Sequence, residues 1–174
     1  LYDRLFGAHE GAEAPFLHLP DGRVISHAAF LVMAGRFANV LTSLGLNIGD
    51  RVAVQIEKSP EALAVYAACA RAGLIFLPLN TAYTADELSY FIENSGASVV
   101  VCDTGKEATV APIPKPLGAA LETLNADGSG TLILPLKNTP LSEDYDSPFS
   151  FNLYSRCIEA DKITDPDAKQ QRLH

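Results

Sequence analysis

Two hydrophobic periods alternate along the first hundred residues, and their order implies an architecture. The run PFLHLPDGRVIS (15–26) carries two short alternating stretches around Pro20-Asp21-Gly22, which predicts a hairpin with Gly22 supplying a positive φ. Behind Ser26, a residue suited to cap a helix, Phe30, Ala34, Phe37, Leu41 and Leu44 recur at three- and four-residue steps. That stripe predicts an amphipathic helix, and Gly45 is placed to stop it. The run Arg51–Ile56 then reads as a strand.

Ser59-Pro60-Glu61 is a helix start: a cap, a proline at the first helical position, and a carboxylate at the positive dipole end. The following EALAVYAACARAG is apolar on nearly every face, which predicts burial on more than one side. Leu74–Leu79 reads as the next strand. Thr84 and Glu87 have capping-box spacing and open a helix whose stripe is Leu88, Phe91 and Ile92. Ser98–Cys102 is a continuous apolar strand. Strand, helix, strand, helix, strand with short turns predicts right-handed crossovers and a parallel sheet covered on both faces. The expected fold class is therefore α/β, a layered parallel-sheet subdomain followed by an irregular C-terminal tail.

The pattern dissolves after Asp103, and seven of the eleven prolines fall in residues 112–166. Residues 1–110 are assigned to the α/β subdomain and 111–174 to a divergent, Pro-rich, weakly structured tail. Within that tail Ala119–Leu124 reads as a helical turn or two, Asn125–Gly130 as turn chemistry, and Thr131–Leu134 as a strand.

Composition narrows the function classes. At 174 residues and 48% hydrophobic content the chain has a domain's worth of core. Thirteen Lys and Arg against 21 Asp and Glu give a net charge of −8, which argues against nucleic acid or an anionic membrane as the main partner. Cys69, Cys102 and Cys157 form neither an even disulfide framework nor a CxxC pair. The three unpaired thiols fit a reducing compartment, and the default location is the cytoplasm, with mitochondria as the alternative. The start lacks a signal-peptide pattern and an initiator Met, which leaves room for preceding residues. The longest apolar run, Ala62–Ala70, is far short of the ~20 residues of a membrane span.

Site motifs are scarce. No glycine-rich nucleotide loop follows the Arg51–Ile56 strand, where Glu57, Lys58, Ser59 and Pro60 stand instead. Asp103-Thr104-Gly105 after VVVC has the wording of an aspartic-protease turn, yet it occurs once and helices precede it. A strand-end Asp opening a turn is the preferred reading. His9, His18, His27 and His174 show no ligand spacing with each other or with cysteine, so no metal site is expected. No G-x-S-x-G elbow is present, and Cys69 lies in the most buried-looking helix, where an inert core thiol is expected. No catalytic residue is assigned.

The wording of the segments says more. LGLNIGDRVAVQIEKSPEALAVYAACARAGLIFLPLNTAYTADELSYFIENSGASVVVCD (44–103) resembles the N-terminal region of the adenylate-forming superfamily of acyl-CoA synthetases, peptide-synthetase adenylation domains and luciferases. The G-D-R-V-A-V strand at 49–54 and A-R-A-G-L-I-F-L-P-L-N at 70–80 carry the resemblance. PLNTAYTADELSYFIENSGA is most similar to malonyl-CoA synthetases. The resemblance covers about residues 1–110. It implies a two-step ligase in fatty-acid metabolism: ATP and a carboxylic acid, such as malonate or a fatty acid, give an acyl-adenylate and pyrophosphate, and CoA then displaces AMP. For the family it implies ATP, Mg²⁺ and CoA, a Ser/Thr/Gly-rich phosphate loop and a lysine on a mobile C-terminal domain.

No segment here matches that loop or that lysine, so no family site residue is carried over and no cofactor is expected for this chain alone. Asn80 and Tyr83, in the loop leaving a strand's C-terminal end, are the cleft-facing candidates for cofactor binding. Their alternative reading is ordinary loop residues that cap and pack. The expectation is the N-terminal part of an acid–CoA ligase, without turnover alone. The rival is a non-catalytic module that associates with a full-length synthetase through exposed apolar surface. A third reading is a gene-model fragment with a read-through tail.

Overall fold

The computed structural model describes residues 1–132. The hairpin forms as expected. β1 (Pro15–His18) and β2 (Val24–Ser26) pair antiparallel, with Leu17 opposite Ile25. Gly22 turns at φ 86°, and the Asp21 carboxylate accepts from the Arg23 backbone N–H at 3.0 Å. Arg23 Nε donates to the same carboxylate at 2.7 Å, and the backbone N–H first and the side chain second hold Asp21 below its ordinary carboxyl range.

α2 (His27–Ser43) starts at the Ser26 cap, whose Oγ accepts from the Ala29 N–H. Its first free N–H groups, on His27 and Ala28, donate to the carbonyls of Ala14 and Ala12 at 3.1 and 2.8 Å. Residues ahead of the hairpin thus complete the helix N-terminus. That leading segment begins with α1 (Tyr2–Leu5) and docks through Tyr2 and Phe6, both buried. Arg71 Nη1 donates to the Tyr2 hydroxyl at 2.9 Å and its guanidinium also lies over the Tyr2 ring.

The main sheet has the order β4-β3-β5-β6 and every pairing is parallel. β3 (Arg51–Gln55) leads through α3 (Pro60–Ala72) to β4 (Ile75–Pro78), on one side of β3. β4 leads through α4 (Ala85–Ser95) to β5 (Val99–Cys102), on the other side of β3. The two crossovers run in opposite directions along the sheet, so right-handedness sends α3 and α4 to opposite faces. Both faces are therefore covered, and all four β5 residues are at most 1% exposed.

Period-two alternation divides the sheet between its two faces. Ala53, Val100 and Cys102 join Leu88, Ile92 and Val110 in the core beneath α4 and α5 (Glu107–Val110). Val52, Val54, Val99 and Val101 are buried on the opposite face, and Val65 and Cys69 of α3 are buried too. Burying a side chain such as Ile92, fully covered here, contributes about 1.5–3 kcal/mol. The helix boundaries follow the expected signals. Ser59 Oγ accepts from Ala62 N–H, Gly73 and Gly96 close α3 and α4 in the left-handed region, and Thr84 and Glu87 complete a capping box.

One element differs. Residues 120–123 are a strand rather than helical turns: β6 (Ala120–Thr123) lies beside β5, with Ala120 N–H donating to Ser98 O and Leu124 N–H to Cys102 O. A short run such as Ala-Leu-Glu-Thr has no decisive period, and the open edge of β5 selects the extended form. The packed layer consequently continues past residue 110, with Leu124 and Leu132 fully buried. Pro114 and Pro116 sit in and beside the tight turn Lys115–Leu117, where they redirect the chain toward β6. Asn125–Gly130 is a turn, as expected, and Thr131 and Leu132 continue it. The rest of the expected strand at Thr131–Leu134, with Cys157 and His174, lies outside the described residues.

Candidate functional site

Parallel α/β sheets offer their ligand-facing loops at the carboxyl ends of the strands. Four such loops meet here, and a transverse row of side chains underlies them. Gln55, Cys102 and Thr123 are in register across β3, β5 and β6. Gln55 and Thr123 are the two buried polar residues among those described. The Gln55 amide Nε2 donates to the Asn80 carbonyl at 2.8 Å, while its Oε1, also buried, has no hydrogen-bond partner among the described residues.

Both candidate residues lie on the loop after β4, at the edge that the topology predicts. The Asn80 side chain is turned back on its own loop, Oδ1 accepting from the Ala82 N–H at 2.9 Å. Its carbonyl accepts from the Tyr83 N–H at 3.1 Å as well as from Gln55. Tyr83 is half-buried, and its ring stacks on Phe91 of α4 at 5.0 Å between centroids. Lys106, from the turn after β5, donates through Nζ to the Thr81 carbonyl at 2.7 Å. Two successive carbonyls of this loop are thus held by side chains from two other strand ends. Gln55 and Lys106 were not singled out from the sequence. A glutamine inside the apolar run RVAVQI was the available signal for the first, while the second depends on topology.

The neighbouring turns are built in the same way. Asp103 opens the turn Thr104–Lys106, and its Oδ1 accepts from the Glu57 N–H at 3.3 Å. The D-T-G wording is therefore a strand-end turn. Asn125 Oδ1 accepts from Thr104 N–H at 2.9 Å, and its Nδ2 donates to Thr104 Oγ1 and Ser129 Oγ. Thr123 N–H donates to Thr131 Oγ1 at 2.8 Å, Thr131 N–H to Thr123 Oγ1 at 3.0 Å, and Leu132 N–H to Thr123 O at 3.1 Å.

Among the described residues, nucleophiles and metal ligands are not assembled. Burial pushes the Cys69 thiol up to about 12. The Cys102 thiol is pushed up to about 11 by burial first, then by Glu107 and Asp103, with Lys106 acting against them. Both thiols stay protonated at neutral pH, which makes them poor nucleophiles. His9 stacks on His27 at 4.5 Å and His27 lies against Phe16 at 4.6 Å, a ring stack beside the N-terminus of α2. His18 is on β1. Among the described residues no three His, Cys, Asp or Glu side chains are grouped to hold a metal ion. The described loops at this edge carry Glu57, Asp103 and Asp127 against Lys58 and Lys106. No described helix is long and apolar enough to cross a membrane.

Comparison with known proteins adds what the geometry leaves open. The sequence profile of a family described as AMP-binding enzyme matches residues 7–168. The long-chain-fatty-acid–CoA ligase FadD13 of Mycobacterium tuberculosis is 36% identical over 77 residues, 44% of this chain and 15% of that protein. Crotonobetaine/carnitine–CoA ligase of Salmonella enteritidis is 30% identical over 103 residues, 58% of this chain and 20% of the relative. Among solved structures, apo MatB from Rhodopseudomonas palustris superposes with TM-score 0.75 and 45% identity, covering 79% of this chain and 28% of that one. The ATP-bound form of the same protein matches with the same score. The chain thus spans less than a third of each of these relatives.

Proposed function

The chain belongs to the AMP-binding enzyme family, and from that premise we propose that it is the N-terminal part of an ATP-dependent acid–CoA ligase acting on malonate or a close relative. The observation that carries the reading is its likeness to MatB, which extends over most of this chain. The malonyl-type wording at 78–97 supports the same substrate class. In such a reaction a carboxylate oxygen attacks the α-phosphorus of ATP and pyrophosphate leaves. The CoA sulfur then attacks the acyl carbon of the adenylate and AMP leaves.

Within that scheme the described residues supply a scaffold. The sheet fixes the loop from Asn80 to Thr84, with Gln55 and Lys106 holding its carbonyls. The reacting groups are assigned to parts of the enzyme beyond this chain, whose sequence matches neither the phosphate loop nor the C-terminal lysine, so the chain alone turns nothing over. Leu44, Ile48 and Ile75 remain exposed around the amino edge of the sheet, where Ile75 N–H bonds to Asp50 O. We assign this apolar surface to packing against the remainder of the enzyme. The free thiols Cys69 and Cys102 fit a reducing compartment such as the cytoplasm.

The test is AMP release in the presence of ATP, CoA, Mg²⁺ and either malonate or fatty acids. The purified chain is expected to release none, and the longer protein that contains it is expected to release AMP with malonate. Turnover by the chain itself overturns its assignment as a scaffold. A longer protein inert toward every acid overturns the ligase assignment, and a preference for fatty acids overturns malonate.

A further inference from the structure

We draw no further inference here: the strongest candidate, the buried Gln55 amide in the polar row beneath the carboxyl-edge loops, belongs to the site already described, and nothing in the structure shows which donor meets its unpartnered Oε1.

Discussion

Residues 51–103 and residues 104–132 belong to one layer but are held by different means. In the first stretch each element carries its own start, stripe and stop. Ser59 and Thr84 cap their helices, Gly73 and Gly96 end them, and apolar strands lie between. In the second stretch local signals are few, and the chain is fastened by side chains eight to 21 positions apart, such as Thr123 with Thr131 and Thr104 with Asn125. The contrast teaches where a single substitution does most harm. A segment with redundant local signals loses one of several supports, whereas a segment fastened by bonds to distant residues loses part of its placement.

The sharpest way to break the comparison is Gly130→Ala. Gly130 has φ +138°, and a Cβ built on it lies 2.2 Å from the Thr123 carbonyl oxygen. The clash is with backbone, so relief requires β6 or the turn to move. A loss of about 4 kcal/mol or more is expected, at the upper end for single substitutions. Urea unfolding reads the total, and hydrogen exchange should show β6 amides losing protection while α3 and α4 keep theirs. Equal loss throughout would show that the two stretches stand or fall as one unit.

Leu88→Ala attacks the first stretch at its core, where Leu88 is 3% exposed in the cluster beneath α4. The expected cost is about 2–5 kcal/mol from lost burial and the residual cavity. Helical content by circular dichroism should nevertheless persist below the lowered melting point, because the caps remain.

Asn125→Ala removes bonds to Thr104 and Ser129 at partly exposed positions, and about 1–2 kcal/mol is expected. Asn125→Asp keeps the acceptor for the Thr104 N–H and should recover part of that loss. No difference between the two variants would argue against this fastening.

The smallest effects come from the capping box. Thr84→Ala is expected to cost about 1 kcal/mol. Hydrogen bonds from the Thr84 N–H and hydroxyl hold the Glu87 carboxyl below its ordinary range. A depressed carboxyl stabilises the fold above its unfolded pKa, and that contribution fades as pH falls through the lower folded value. Acid unfolding of Glu87→Gln should therefore lack this component. An unchanged acid limb would show that the box contributes nothing measurable.

Much of the fold is legible in the sequence because its signals are short-range. The hairpin at Pro20–Gly22, the Phe30-to-Leu41 part of the stripe and the Ser59-Pro60 start each involve residues that meet within a turn or two of chain, whereas Leu44, past the end of α2, stays exposed. β6 is not legible in that way, since its extended form is selected by hydrogen bonds to Ser98 and Cys102, about 22 residues away. The candidate site divides similarly. Crossover topology is enough to place Asn80 and Tyr83 at the carboxyl edge. Their actual engagement, Asn80 in its own turn and Tyr83 on Phe91, emerges only from packing.

By itself the sequence determined an α/β layer of parallel strands, the boundaries of its principal helices and the family wording of residues 44–103. Caps, periods and turns act between near neighbours, so composition and order suffice for them. Tertiary structure alone decided the fourth strand, the buried row Gln55–Cys102–Thr123 and the clamping of the 80–83 loop by Gln55 and Lys106. Those features join residues more than twenty positions apart, and a polar side chain finds such a partner only once the sheet has brought the strand ends together.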